Sequence, residues 1–199
     1  MKTRALLTAA VLCLAGPAFA QGKAPAAKEK AATKKEEAAA KKEEKTENKQ
    51  AAAGATARAD VKDQKGQSLG EVTLTETPHG MLVKGTLTNV PAGEHAIHIH
   101  ETGKCEAPFK TAGGHLNPGK KHHGILAAEG KHEGDLPNIY VGADGKAQFD
   151  FFAQGLTMKD LQDADGAAVV VHAGVDDYQT DPAGNAGDRI ACGIVQAQK

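Results

Sequence analysis

From Gln21 to Thr56 the chain runs 36 residues without one Val, Ile, Leu, Met, Phe, Tyr, Trp or Cys; 12 of them are Ala and 15 are Lys or Glu. Such a stretch has nothing with which to offset the entropy of ordering a globule, so a hydrophobic core has to come from the residues C-terminal to it. Roughly 140 residues remain, a normal size for one core. Within the stretch, Lys34 to Glu44 sets opposite charges three and four positions apart among alanines. That pattern reads as a spacer, disordered or partly helical. Two roles stay open for it: a plain solvated spacer, or a weak association with an outer surface or cell wall.

The twenty residues before it read as an address. Lys2 and Arg4 lead into an apolar run from Ala5 to Leu14, too short for a bilayer span of about 20 residues, and Ala18-Phe19-Ala20 follows with small residues. The expected organisation is a secretory signal peptide at 1–20, the spacer at 21–56 and one folded domain at 57–199. The protein is expected to be exported, periplasmic or extracellular, with no membrane span. Cys13 would leave with the signal. Cys105 and Cys192 then allow a single intramolecular pairing in a compartment where disulfides persist.

From about residue 57 the apolar residues recur at every second position. Ala57–Asp63, Leu69–Thr77, Met81–Val90, His95–Glu101, Ile139–Val141, Ala147–Phe152, Ala167–His172 and Ile190–Gln196 read as strands, punctuated by turn pairs such as Lys65-Gly66, His79-Gly80 and Asp144-Gly145. Eight strands without a long amphipathic helix predict an all-β, antiparallel sandwich or barrel. Thr102–Asn138 and Ala173–Arg189 are too long for ordinary turns, and long loops in a compact domain collect function. Residues 60–199 hold 12 basic and 19 acidic side chains, and the chain has no Trp and only 7 aromatics. No nucleic-acid partner is expected, since neither a phosphate-binding face nor a stacking surface is available.

All nine histidines fall in this last part. His98 and His100 share one face of a strand, with Ile99 on the other. Alone, that pair fits a surface accident as well as a chelate. His115, His123, His132 and Asp135 lie in the first long loop, and three imidazoles with one carboxylate match the tetrahedral shell that zinc accepts. A single loop histidine would merely be solvated. His172 ends the apolar run Val169–Val171, where an unpartnered imidazole is costly to bury, so it reads as a ligand or as a structural residue.

Taken together, these residues resemble a known family. His98-Ile-His100-Glu101, Cys105, Gly114-His115-Leu-Asn-Pro118, His123, His132 with Gly134-Asp135, Val171-His172, Asp176 and Gly184-Asn-Ala-Gly-Asp-Arg189-Ile-Ala-Cys192-Gly look like a copper/zinc superoxide dismutase, of the exported bacterial branch. The resemblance spans about residues 57–197. It implies an eight-stranded antiparallel Greek-key β-sandwich or barrel with two functional loops.

The resemblance further implies copper bound by His98, His100, His115 and His172, and zinc by His115, His123, His132 and Asp135, with His115 bridging. The implied activity cycles copper between Cu(II) and Cu(I), turning two superoxide anions and two protons into oxygen and hydrogen peroxide. Asp176 would orient His98 and His123, Arg189 would attract the substrate anion, and Cys105 would pair with Cys192. A catalytically silent relative that carries or stores metal is the alternative. A homodimer stays open. His79, His95 and His122 have no counterpart and read as surface residues, and Asp177 as an ordinary solvated acid. Two departures concern substrate steering: Ala173–Asp188 has no Lys, leaving Lys104, Lys110, Lys120 and Lys121 to supply positive charge, and Ala183 stands where the family commonly has Thr.

Overall fold

The computed structural model describes residues 54–198; the expected signal peptide at 1–20 and the spacer as far as residue 53 lie outside the described residues. Nine strands follow one another as β1 (Thr56–Asp63), β2 (Ser68–Thr77), β3 (Gly80–Leu87), β4 (Gly93–His95), β5 (Ile97–His100), β6 (Ile139–Val141), β7 (Ala147–Gln154), β8 (Ala168–His172) and β9 (Arg189–Ala197). Seven form one curled antiparallel sheet in the order β5-β8-β9-β1-β2-β3-β7, while β4 pairs with β6. The alternation seen in the sequence becomes the inner face. Ala57 stands opposite Leu74, Ala59 opposite Val72 and Leu74 opposite Val83, all fully or almost fully buried. They join Ile97, Ile99, Val169, Val171 and Val195 in one core. Burying a Val- or Leu-sized side chain stabilises by roughly 1.5–3 kcal/mol.

Three details differ from expectation. The first strand begins at Thr56, and Glu76 N–H donates to Ala55 O at 2.9 Å, so the end of the supposed spacer already belongs to the sheet. Small residues carry no hydrophobic signal, but backbone pairing needs none. Secondly, the expected strand His95–Glu101 is two strands, giving nine rather than eight. Ala96 is the step between sheets: its N–H donates to Gly174 O at 2.8 Å and its carbonyl accepts from His172 N at 2.9 Å. Thirdly, a short helix, α1 (Met158–Leu161), is started by a capping box in which Thr157 and Asp160 satisfy each other's backbone N–H groups. It seats Leu161 and Met158 in the core.

β5 and β8 are buried on both faces. Their inner residues enter the main core. Their outer residues lie under the long loops, where Ala168 and Val170 pack with Phe109, Ala112 and Cys192 in a second small cluster. Cys105 and Cys192 are disulfide-bonded, with Cα atoms 5.7 Å apart and a separation of 87 positions along the chain. Closing a loop of that length removes unfolded-chain entropy worth roughly 4–5 kcal/mol.

Candidate metal centre

β5 is an edge strand, and an open edge is a liability that has to be covered. The first long loop covers it. Ile99 N–H donates to Gly134 O at 2.9 Å, Leu116 N–H to Ile99 O at 2.8 Å, and Glu101 N–H to Gly114 O at 3.0 Å. This backbone pairing sets His115 beside His100 and Asp135 beside His98. On the other side of β5 lies β8, whose last residue, His172, pairs across a bulge with Arg189 of β9. Edge pairing and strand register thus draw together residues more than 90 positions apart.

The seven side chains expected as ligands are 0–7% exposed. They form two groups in which every donor atom lies within 4.8 Å of the others: His98, His100, His115 and His172, and then His115, His123, His132 and Asp135. Only His115 belongs to both. Its Nδ1 lies 2.9 Å from Asp135 Oδ1 and 3.4 Å from His132 Nδ1, inside the second group. The remaining rings are aimed from behind. His100 Nδ1 is 3.0 Å from Gly113 O and His172 Nδ1 is 3.2 Å from Gly187 O, which leaves their Nε2 atoms 3.3 Å apart and facing inward.

Two nitrogens have no partner at all. His98 Nδ1 and His115 Nε2 are the buried side-chain polar atoms without a hydrogen bond among the described residues. Buried polar groups are almost always partnered, because leaving one unpaired costs about 1–3 kcal/mol. Both belong to rings of the all-imidazole group, and an electron-pair acceptor would satisfy them. Four imidazoles suit copper; three with a carboxylate suit zinc. The donors fit a pair of ions.

Electrostatics prepares the same outcome. Burial lowers His115 to about 4 and His172 to about 3, and holds His100 well below its ordinary 6.5, so these rings stay neutral and keep lone pairs. His123 goes the other way: burial opposes its charge, but the hydrogen-bonded carboxylates of Asp135 and Asp176 prevail and raise it to about 9. Asp135, although desolvated, is kept well below the usual carboxylate range by His115 and His123.

Asp176 lies behind both groups. Its Oδ2 is 2.7 Å from His98 Nε2 and its Oδ1 is 2.9 Å from His123 Nε2. These three residues also cluster tightly, but each ring already spends its Nε2 on the carboxylate, so the trio orients rings rather than holding an ion. Gly184, at φ +62°, makes room: a Cβ there would run into Asp176 Oδ1. Arg189 donates from Nη1 to Phe109 O at 2.7 Å and from Nη2 to Gly113 O at 2.6 Å, the carbonyl that also receives His100. It lines a cavity of about 420 Å³ with His115, His132 and His172; Lys121, Asp181 and Ala183 line it too. Of the four lysines expected to supply positive charge, Lys121 is the one on this cavity.

Two readings from sequence need correction. His95 is not a surface residue; it is 5% exposed, with Nδ1 2.9 Å from His172 O and Nε2 2.9 Å from Pro91 O. Asp177 is exposed yet not simply solvated. It accepts hydrogen bonds from Gln179 N, Thr180 N, Thr180 Oγ1 and Asn185 Nδ2, which lower it to about 2 and knot the second loop. His79 and His122 are exposed as expected. Gln64, which no motif flagged, donates from the β1–β2 turn to Arg189 O at 2.8 Å. Cross-chain contacts of this kind leave no local pattern to read.

Comparison with known proteins places this geometry in context. The family model described as copper/zinc superoxide dismutase matches residues 68–195. A relative named superoxide dismutase [Cu-Zn] 1, from Aquifex aeolicus, is 47% identical over 145 residues, covering 69% of this chain and 86% of its own. Among solved structures, a SOD-like protein from Bacillus subtilis aligns with a TM-score of 0.67 at 34% identity, covering 70% of this chain and 97% of its own. The Cu/Zn superoxide dismutase from Brucella abortus aligns with a TM-score of 0.61 at 30% identity, covering 71% and 99%.

Proposed function

The chain belongs to the copper/zinc superoxide dismutase family, and on that premise we propose that His98, His100, His115 and His172 hold copper, that His115, His123, His132 and Asp135 hold zinc, and that Arg189 receives the substrate anion. The reaction takes two superoxide anions and two protons to oxygen and hydrogen peroxide. When bound, copper supplies the one-electron couple, while zinc has no redox chemistry and contributes charge and geometry. The observation that carries the division of ligands is the pair of buried, unpartnered nitrogens, His98 Nδ1 and His115 Nε2.

The chain's own residues do the rest. His115 presents Nδ1 to the zinc set, which leaves Nε2 as the atom that can hold a proton and pass it to substrate. Arg189 stays charged at any working pH despite its partial burial. Two of its N–H groups are committed to Phe109 O and Gly113 O, so the guanidinium is fixed beside His100 and His172 before substrate arrives. Asp176 holds the tautomers of His98 and His123 by accepting from both Nε2 atoms.

Export to the periplasm or the cell exterior is part of the same reading. The disulfide and the bacterial relatives support it, and an exported protein whose first residue by sequencing is near Gln21 would agree. The metal assignment is tested by loading the chain with both ions and comparing it with His172→Ala. The variant should lose copper and superoxide consumption while keeping zinc. Loss of both metals together, or a fully loaded native protein that consumes no superoxide, would overturn the proposal.

A further inference from the structure

Asp181 is exposed enough to pass for an ordinary rim carboxylate, with 49% of its side chain accessible, yet three groups of the first loop converge on it. Its Oδ1 accepts the backbone N–H of His123 at 2.6 Å, across 58 residues of sequence. The same oxygen lies 3.9 Å from His132 Nε2 and 3.9 Å from His122 Nδ1. His132 turns its Nδ1 inward, 3.3 Å from Asp135 Oδ1 and 3.4 Å from His115 Nδ1. A ring that gives Nδ1 to a metal carries its proton on Nε2, and on His132 that nitrogen is the one 3.9 Å from Asp181. The knot of Asp177, Thr180 and Asn185 fixes the loop that presents it.

We propose that Asp181 is a positioning residue for the zinc half of the centre. It pins the main chain at His123 through a charge-assisted hydrogen bond and orients the His132 ring from outside by its charge. Asp176 serves the outer nitrogen of His123; Asp181 serves that of His132. At 3.9 Å the contact is too long for a hydrogen bond and acts as a charge–dipole attraction between the carboxylate and the ring N–H, so its effect belongs at the weaker end of such support. The position carries a cost. Asp181 lines the cavity that contains Arg189 and Lys121, where a negative charge works against an incoming anion.

The inference rests on the ligand division proposed above, and Asp181→Asn separates the two. Asparagine can still accept from His123 N–H, so the fold is kept while the charge is removed. In the full-length protein with copper bound, zinc affinity measured by chelator competition should fall about tenfold. Copper affinity should stay the same. The His132 Nε2–H resonance of zinc-loaded protein should shift while that of His98 does not. Once saturated with both metals, the variant should turn over faster than native protein at low ionic strength. Native zinc affinity with an unmoved His132 signal would overturn the role of Asp181. If His132→Ala leaves zinc binding intact in otherwise native protein, the ligand division itself fails, and the inference with it.

Discussion

The loop from residue 102 to 138 and the loop from 173 to 188 cover the same outer face of β5, but they contribute different chemistry. The first brings His115, His123, His132 and Asp135, the side chains that turn inward, together with Lys121 on the cavity. The second brings Asp176 and Asp181, which touch those imidazoles from behind, and no lysine at all. One loop donates; the other aims. Donors alone are not a site, because an imidazole rotated about its bonds presents the wrong nitrogen. The acids of the second loop are accordingly put to different uses: Asp176 is buried against His98 and His123, Asp177 ties its own loop, and Asp181 stays half exposed on the cavity rim.

The sharpest way to break that division is to spoil aim while leaving every donor in place. Gly184→Ala does this without removing a donor residue: a methyl group there collides with Asp176 and with the outer Nε2 edge of His123, and a non-glycine residue in the left-handed region costs about 1–2 kcal/mol. Zinc affinity should drop about 10- to 100-fold by chelator competition, although all seven proposed ligand residues are retained. A native affinity would mean that orientation counts for little.

Acidity distinguishes the two sets of rings next. In chelator-treated protein, His115, His172 and His100 are depressed, so the unfolded chain takes up protons first as pH falls below 6.5, and stability drains away through about 4 and 3. His123 is raised, so its contribution is complete below 6.5 and disappears as pH rises through about 9. The thermal midpoint of the metal-free protein should therefore peak near pH 6.5 and decline on both sides. In Asp176→Asn the alkaline decline should shrink; an unchanged alkaline limb would show that His123 does not depend on the second loop.

The smallest effect concerns steering. Lys121→Ala in fully metallated protein should slow superoxide consumption by about two- to fivefold at low ionic strength and converge on native rates in high salt. A rate that ignores salt in both proteins would remove Lys121 from any guiding role.

How much of this was legible in the chain depended on whether the cause was local. Alternation at Ala57, Ala59 and Val61, and again at Val72 and Leu74, reports a face, so the strands could be read. The spacing of His115, His123, His132 and Asp135 reports a loop able to fold back on itself. Ala96 interrupts no pattern, yet it is where the chain changes partner strand. His95 looked like a surface residue because both of its partners are backbone carbonyls, one of them 77 residues away. Nothing in the sequence separates Asp177 from Asp181; only the folded arrangement shows one tying its own loop and the other reaching into its neighbour.

The bond between Cys105 and Cys192 encloses more than a stretch of chain. His115, His123, His132, Asp135, His172, Asp176 and Arg189 all lie within the ring it closes, and His98 and His100 sit just before its start. Oxidation therefore acts as a drawstring. It shrinks the volume through which the donors wander before any ion arrives, so part of the entropic penalty of assembly is met while the pockets still wait for their metals.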